Sequence, residues 1–394
     1  MYTIFNTIWI ILQILTGYNL ILPIFLYFFY ILKTKKNIGT FKKVNADYAI
    51  IVTAYEQTNC LPAVVNSLLK LHYQNYLIYI VADKCDISTL NFNSERVILL
   101  RPIEELKSNI KSHFYAIKNF VRPHNFITII DSDNLVNEHY LDELNVWFNQ
   151  GYKAVQGVRH AKNLDTTYSC LDAARDIYYH FYDGKILFSL GSSATLAGSG
   201  MAFDTELYID CLGNSQAQGA GFDKVLQREI VGRDLQIAFA EKAIVFDEKT
   251  SQPKQLVQQR SRWINTWFKY FKFGFYLCIK GVKNLSINQF IFGIVLLRPP
   301  LFIFILLGLT AMLINIWLSP ISIFIWLASF VFFVISFLVS LLSSRTDSKI
   351  YRSLINIPSF IFLQIISLLK SRNANRYSVS TQHFHSEIQI KKQD

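Results

Sequence analysis

Apolar positions along the chain follow distinct patterns. Residues 4–32 (IFNTIWIILQILTGYNLILPIFLYFFYIL) form one apolar run without a charged side chain, longer than the ~20 residues a helix needs to cross a bilayer. The run lacks the basic start, the short apolar stretch and the small-residue cleavage site of a secretory signal. It therefore predicts a retained membrane helix. Residues 284–344 carry one charge, Arg298, and predict two further spans around 287–316 and 320–343, parted at Ser319-Pro320. Arg298-Pro299-Pro300 interrupts the first of these. A charge beside two helix breakers predicts a kink that faces protein or water rather than lipid. The last apolar run, 353–369, is marginal in length and flanked by basic residues. It predicts a helix lying in the interface or re-entrant, with a third C-terminal span as the alternative.

The middle of the chain has a different rhythm. Tyr48–Tyr55 (YAIIVTAY), Tyr76–Asp83 (YLIYIVAD) and Phe126–Asp133 (FITIIDSD) are short, β-rich and nearly continuous, as in strands buried on both faces. Helical patterns near 61–72, 108–121 and 137–149 alternate with them. Such alternation predicts βαβ units and a largely parallel sheet.

The chain's 394 residues are 52% apolar and 17% charged, with a net charge of +11. These averages exclude disorder and collagen-like or disulfide-scaffold classes. They blend two populations, since most charges lie between about Lys33 and Lys283. Lys33, Lys35, Lys36, Lys42 and Lys43 follow the first apolar run and place the middle domain in the cytoplasm by the positive-inside rule. Arg345, Lys349 and Arg352 mark a return to that side. Much of the basic excess sits at membrane boundaries, so it does not call for nucleic acid. Cys60, Cys85, Cys170, Cys211 and Cys278 are widely spaced without a C-x-x-C pair, which suits a reducing compartment.

In 264–283 (INTWFKYFKFGFYLCIKGVK), Lys269, Lys272, Lys280 and Lys283 fall within about 80° of one another on a helical wheel. Trp267, Phe271, Phe275 and Cys278 occupy the other side. This predicts an amphipathic helix on an anionic membrane surface.

Ligands of parallel sheets bind at the carboxyl ends of the strands, and polar residues gather there: Thr53–Gln57, Asp83–Asp86 and Asp131–Asn134. Phe126–Ile130 runs directly into Asp131-Ser132-Asp133. Two carboxylates at the mouth of a sheet can hold a hard cation that keeps positions open for phosphate oxygens.

TAYEQ at 53–57, VADKCD at 81–86, the strand-borne DSD, LAGSGMAF at 196–203 and QRSRW at 259–263 occur in the order seen in family-2 glycosyltransferases. Between Tyr48 and Trp263 the chain resembles the membrane-integrated branch that contains cellulose, hyaluronan and poly-N-acetylglucosamine synthases. The resemblance implies an α/β GT-A (Rossmann-like) fold that binds a nucleotide-diphosphate sugar. It divides the chain into an N-terminal transmembrane helix (1–36), a cytoplasmic GT-A domain (37–263), an amphipathic interface helix (264–284), two transmembrane helices (285–345), and an interfacial or re-entrant helix with a basic tail (346–394).

The same resemblance implies the roles of individual residues. Tyr55 and Glu56 stand in the nucleoside-contacting segment, with Thr53 and Gln57 as small departures. Asp83 matches the acid at the base or ribose, and Asp86 either assists it or caps the next turn. Asp131 and Asp133 match the metal motif for Mg²⁺ or Mn²⁺, with Asp133 the first choice as direct ligand. Lys111 either matches a basic position of the family or is a solvated helix lysine. Gly198, Ser199 and Gly200 belong to the close-approach loop under the donor sugar. Gln259, Arg262 and Trp263 match the Q-x-x-R-W motif, in which Arg262 holds diphosphate with a planar fork. Arg376–His385 resembles a cytoplasmic gating tail.

Two acids compete for the general base. Asp234 precedes an apolar, helical-looking segment. Asp223 stands 36 residues before Gln259, in step with the family pattern, and register favours it. Phe222 occupies the place of the family's acidic partner.

The resulting expectation is a metal-dependent, inverting hexosyl- or N-acetylhexosaminyltransferase in the cytoplasmic membrane. Its donor is a uridine-diphosphate sugar and its acceptor a growing cell-surface polysaccharide or a glycolipid. A polyprenyl-phosphate glycosyltransferase is the related alternative, and a non-catalytic nucleotide-sugar sensor or synthase scaffold the alternative of another class. With so few spans, secretion through this chain would call for a homo-oligomer or an export partner.

Overall fold

The computed structural model describes residues 2–33, 45–213, 220–375, 385, 387 and 388. The lysines from Lys35 to Lys43 and most of the tail segment Arg376–His385 lie outside the described residues. The uncharged α1 (Tyr2–Leu32) precedes a mixed sheet flanked by helices. β1 (Tyr48–Tyr55), α2 (Leu61–Leu69) and β2 (Tyr76–Asp83) fall where the sequence pattern puts them. β3 (Val97–Leu100), α3 (Asn109–Lys118) and β4 (Phe126–Asp131) follow. β1 lies between β2 and β4, parallel to both, with Tyr48 opposite Tyr76 and Phe126. The third expected strand stops at Asp131. Ser132 and Asp133 leave the sheet in a turn closed by the Asn134 N–H on the Asp131 carbonyl at 3.0 Å.

β5 (Leu135–Val136), α4 (Tyr140–Phe148), β6 (Ala154–Ala161) and α5 (Thr167–Tyr179) come next. α5 starts at a capping box in which Thr166 and Ser169 bond each other's backbone N–H, satisfying donors at the helix start. It runs into a π-helical turn, His180–Ile186, and the short α6 (Leu187–Ser189). β7 (Met201–Asp204), α7 (Thr205–Leu212), α8 (Phe222–Gly232) and β8 (Ile237–Asp247) complete the domain. The helical-looking segment after Asp234 is thus a strand. Residues 237–240 are buried, and pairing with β6 and β5 decides a conformation that local pattern leaves ambiguous. The strand order is β3-β2-β1-β4-β7-β6-β8-β5. β7 runs antiparallel to both β4 and β6. One face of the sheet packs on α2 and α4, the other on α3, α7 and α8.

α9 (Pro253–Tyr270), α10 (Lys272–Asn284), α11 (Ile287–Leu297), α12 (Leu301–Leu318), α13 (Pro320–Ser343), α14 (Ser348–Ser353) and α15 (Ile357–Leu369) follow. The expected amphipathic helix is therefore the end of α9 and all of α10, parted at Phe271. The expected span 287–316 is two helices, because proline cannot donate into a helical ladder and Pro299-Pro300 stands between them. α11 stays on the sheet domain: Asn288 Nδ2 donates to the Leu235 carbonyl at 3.2 Å, and Gln289 Nε2 to that of Val231 at 3.1 Å. Among the described residues, four helical segments are long and apolar enough to cross a membrane: Ile4–Leu32, Leu301–Leu318, Pro320–Ser343 and Ser348–Leu369. Polar contacts knit three of them. Asn315 on α12 accepts from Trp9 Nε1 at 2.9 Å, and Gln13 Oε1 accepts from Trp326 Nε1 of α13 at 2.9 Å. Hydrogen bonds of this kind hold helices together where no water competes.

Candidate active site

The carboxyl ends of β1, β2 and β4 open into one cavity of about 910 Å³, whose wall includes Thr53, Tyr55, Gln57, Asp83, Asp131 and Asp133. Asp83 is buried, and its two oxygens accept the backbone N–H groups of Leu106 and Lys107 at 3.0 and 2.9 Å. It thereby fixes the loop before α3 against the β1–β2 end of the cavity. The Tyr55 hydroxyl donates to Glu105 at 2.6 Å, and Lys84 bridges Glu56 and Glu105 at 2.8 and 3.3 Å. Hydrogen bonds from Lys107 and then Tyr55 pull the Glu105 carboxyl down to about 2. Glu56, at φ 60°, turns to Lys84 and is not on the cavity wall. Asp86 accepts the Ser88 N–H at 2.9 Å, a local turn cap. Lys111 is exposed on α3, away from the wall.

The DSD turn is held from behind. Ser199 Oγ accepts the Asp131 N–H at 3.1 Å and stands 2.8 Å from the Asn134 amide. With that amide oriented to suit its neighbours, Asn134 donates to both Asp133 oxygens, at 3.3 and 3.2 Å, and to Asp247 Oδ1 at 3.2 Å. Lys162, fully buried, donates to the Asp133 carbonyl at 2.7 Å. Of the glycine loop, Gly198 reaches the wall, whereas Ser199 and Gly200 lie beneath it. Gly200 has φ +66°, and a Cβ there would stand 2.9 Å from Val245.

Behind this turn lies an ionic network absent from the sequence reading. Arg159 pairs with Asp247 at 2.5 Å. Lys249 reaches Asp247 at 2.8 Å and Asp176 at 2.5 Å. Burial raises both carboxyls, but Lys249 and Arg175 carry Asp176 well below its ordinary range. Arg159 and Lys249 likewise carry Asp247 below it. His180, on the wall, is pushed down to about 3 by burial against a weaker pull from Asp176. A sequence signal for this cluster exists in retrospect: Arg159 and Asp247-Glu248-Lys249 put charge at the ends of two paired strands.

The opposite wall comes from α8 and α9. α8 begins at Gly221 with φ +102°, where a Cβ would lie 2.5 Å from the Tyr270 ring. That close approach seats the α8 start, with Asp223 in its first turn, against α9. Asp223 lines the cavity and lies 3.3 Å from Lys224. Phe222 is buried with its ring 5.0 Å from that of His113, so the position beside Asp223 serves packing. Gln259, Arg262 and Trp263 project from α9 onto the wall. Gln259 Oε1 accepts from Thr250 at 3.0 Å. The Trp263 ring lies under two guanidinium groups, Arg260 at 4.1 Å and Arg175 at 4.6 Å. Burial lowers the Arg262 guanidinium and, with help from Arg175, brings Arg260 down to about 10. Asp234 stands apart, in a separate shallow pocket, bonded to Ser286. Beyond Arg376, His385 is described, and its N–H donates to Glu248, itself on the wall, at 3.1 Å.

Residues 46–266 match the family described as Glycosyltransferase like family 2, and the chain belongs to that family. No curated protein sequence matches it. Among solved structures it is similar to the mannosyltransferase PcManGT from Pyrobaculum calidifontis in complex with GDP-Man and Mn²⁺. That likeness covers 92% of this chain and 98% of the other at 10% identity, with a TM-score of 0.56. It also resembles S. aureus TarS 1-349 over 84% and 90% of the two chains, at 11% identity and a TM-score of 0.42. The fold is GT-A.

Proposed function

We propose that the protein transfers a hexosyl or N-acetylhexosaminyl group, with inversion, from a uridine-diphosphate sugar to an acceptor at the cytoplasmic face of a membrane. The observation that carries this reading is the convergence of Asp131, Asp133, Asp223, Gln259, Arg262 and Trp263 on one cavity, although they come from three distant segments.

Tyr55 and Asp83 frame the nucleoside end. The paired carboxylates of Asp131 and Asp133 are hard oxygen donors at a strand end with space in front of them, a set that fits Mg²⁺ or Mn²⁺. Such an ion, when bound, neutralises the charge that grows on the departing diphosphate. Arg262 supplies a planar fork of donors to the same diphosphate. Asp223 takes the acceptor hydroxyl's proton as that oxygen attacks the anomeric carbon. Trp263 presents an aromatic face to a sugar ring, and Gln259 orients it by hydrogen bonding. Asp234, outside the cavity, has no part in this scheme.

Membrane embedding is supported by the four long apolar helical segments and the cytoplasmic side by the lysines around Lys33. α15 packs on α9, where Ser261 Oγ donates to the Ser367 carbonyl at 3.0 Å. We therefore place 348–369 along the interface beside the catalytic domain, rather than across the bilayer. The reading is tested by measuring nucleoside-diphosphate release from a panel of nucleotide sugars by the full chain in nanodiscs, with Mn²⁺ and with chelator. Release that needs the metal and disappears in Asp133→Asn supports it. Absence of binding and release across the panel contradicts it.

A further inference from the structure

The cavity does not end at the donor site. Past Trp263 it continues between membrane helices, along Phe302 and Ile305 of α12, Phe333 and Phe337 of α13, and Phe360 and Ile361 of α15. Among the described residues from Pro299 onward, the only polar side chain on its wall is Gln364. Val334 and Leu338 also line it, yet are 53% and 38% exposed on α13. One wall therefore opens sideways onto the surface of a helix that is long and apolar enough to span a bilayer.

We propose that this apolar extension holds the hydrocarbon chains of the acceptor, and that the acceptor is a neutral membrane lipid with a free hydroxyl, of the diacylglycerol type. The inference rests on the glycosyl-transfer reading above and names the substrate class of that site. Three features carry it. First, a glycan passing between these helices would find almost no hydrogen-bonding groups on this wall, and leaving its hydroxyls unpaired is costly. Acyl chains coming from the bilayer have no such groups to leave unpaired. Second, the side opening lies where acyl chains would be and where a water-soluble oligosaccharide would not. Third, cations at the junction already face carboxylates. Arg175 lies 3.4 Å from Asp172 and from Asp176, Arg260 pairs with Asp172, and Arg298 pairs with Asp183. A phosphate headgroup would have to compete with those aspartates, whereas a hydroxyl brings no charge. The hydroxyl reaches the Asp223 end of the cavity with its chains behind it. Its proton passes to the Asp223 carboxylate and its oxygen bonds to the anomeric carbon. The bond from that carbon to the phosphate oxygen breaks, and the nucleoside diphosphate leaves with the electron pair.

The test is photocrosslinking in phosphatidylcholine nanodiscs holding the full chain and a diacylglycerol with a diazirine near the end of one acyl chain. Adducts are expected on peptides covering 299–305, 333–338 and 354–364, competed by unlabelled dioleoylglycerol. Val334→Trp, which narrows the side opening from an exposed position, should lower them about tenfold, a 1.4 kcal/mol loss of occupancy. Adducts on the outer face of α1 should not change. Labelling confined to outer helix faces, or insensitive to competitor, overturns the proposal. So does a polyprenyl-phosphate probe that labels the same peptides and displaces the diacylglycerol. Mn²⁺-dependent nucleotide binding is measured in the same sample. Nucleotide binding without groove labelling removes the lipid site and leaves the transferase, whereas groove labelling without nucleotide binding does the reverse.

Discussion

The backbone N–H of Asp131 donates to the hydroxyl of Ser199 at 3.1 Å, tying the end of β4 to the glycine loop before β7. The bond turns the DSD segment out of the sheet and sets where its carboxylates stand. Ser199→Ala removes the partner of a part-buried N–H, a loss of about 1 kcal/mol. Thermal unfolding in detergent should show that loss, and titration of Mn²⁺ against nucleotide binding should shift to higher metal concentration.

Asp223 and Asp234 differ in position rather than chemistry. Asp223→Asn should lower transfer by about 10²–10⁴, the usual contribution of a general base, with nucleotide binding kept. Asp234→Asn should leave transfer within a few-fold of the parent and affect only the contact to Ser286. Initial rates of sugar transfer in nanodiscs distinguish the two. Full activity in Asp223→Asn would remove it as the base.

The Arg298–Asp183 pair joins the α11–α12 turn to the π-helical turn after α5. Both side chains are buried, at 8% and 6% exposure, so removing one strands the other's charge. Arg298→Met should cost about 3–5 kcal/mol, and the double variant with Asp183→Leu should recover most of it. Unfolding of the four proteins in a double-mutant cycle reads this directly.

Two histidines, His113 in the core and the half-buried His180 on the cavity wall, predict an acid limit. His113 and His180 are both held down to about 3 by burial, against an ordinary value of 6.5. Below 6.5 the unfolded chain binds protons that the folded chain refuses, so stability falls as pH drops from about 6.5 toward 3. Each contributes up to about 1.4 kcal/mol per pH unit well inside that window. His113→Gln should flatten the dependence of unfolding on pH by one proton.

The sequence pattern exposed β1, β2 and β4 because both faces of those strands are covered and their apolar runs are unbroken. β6 (AVQGVRHA) and β8 were harder to read. Arg159 and Asp247 at their ends belong to the ionic network rather than the apolar core, and β8 is set by pairing with β6 across a long separation. The motif residues of the candidate site were readable as types in order, but their orientation was not. Glu56, Ser199 and Gly200 support the wall rather than form it, a distinction that backbone φ and hydrogen bonding decide. The apolar extension past Trp263 was not legible either, because it is shared by helices far apart in sequence, and a run such as 320–343 reads alike whether a residue faces lipid or a cavity.

In the proposed reaction, Asp131 and Asp133 hold a divalent cation against a nucleotide sugar from which the chain transfers the glycosyl group. Its most direct measurement is Mn²⁺-dependent release of nucleoside diphosphate by the full chain in nanodiscs, compared with Asp133→Asn. The account predicts release that chelator abolishes and that the variant loses while remaining folded. Release unaffected by chelator and retained in Asp133→Asn would contradict it.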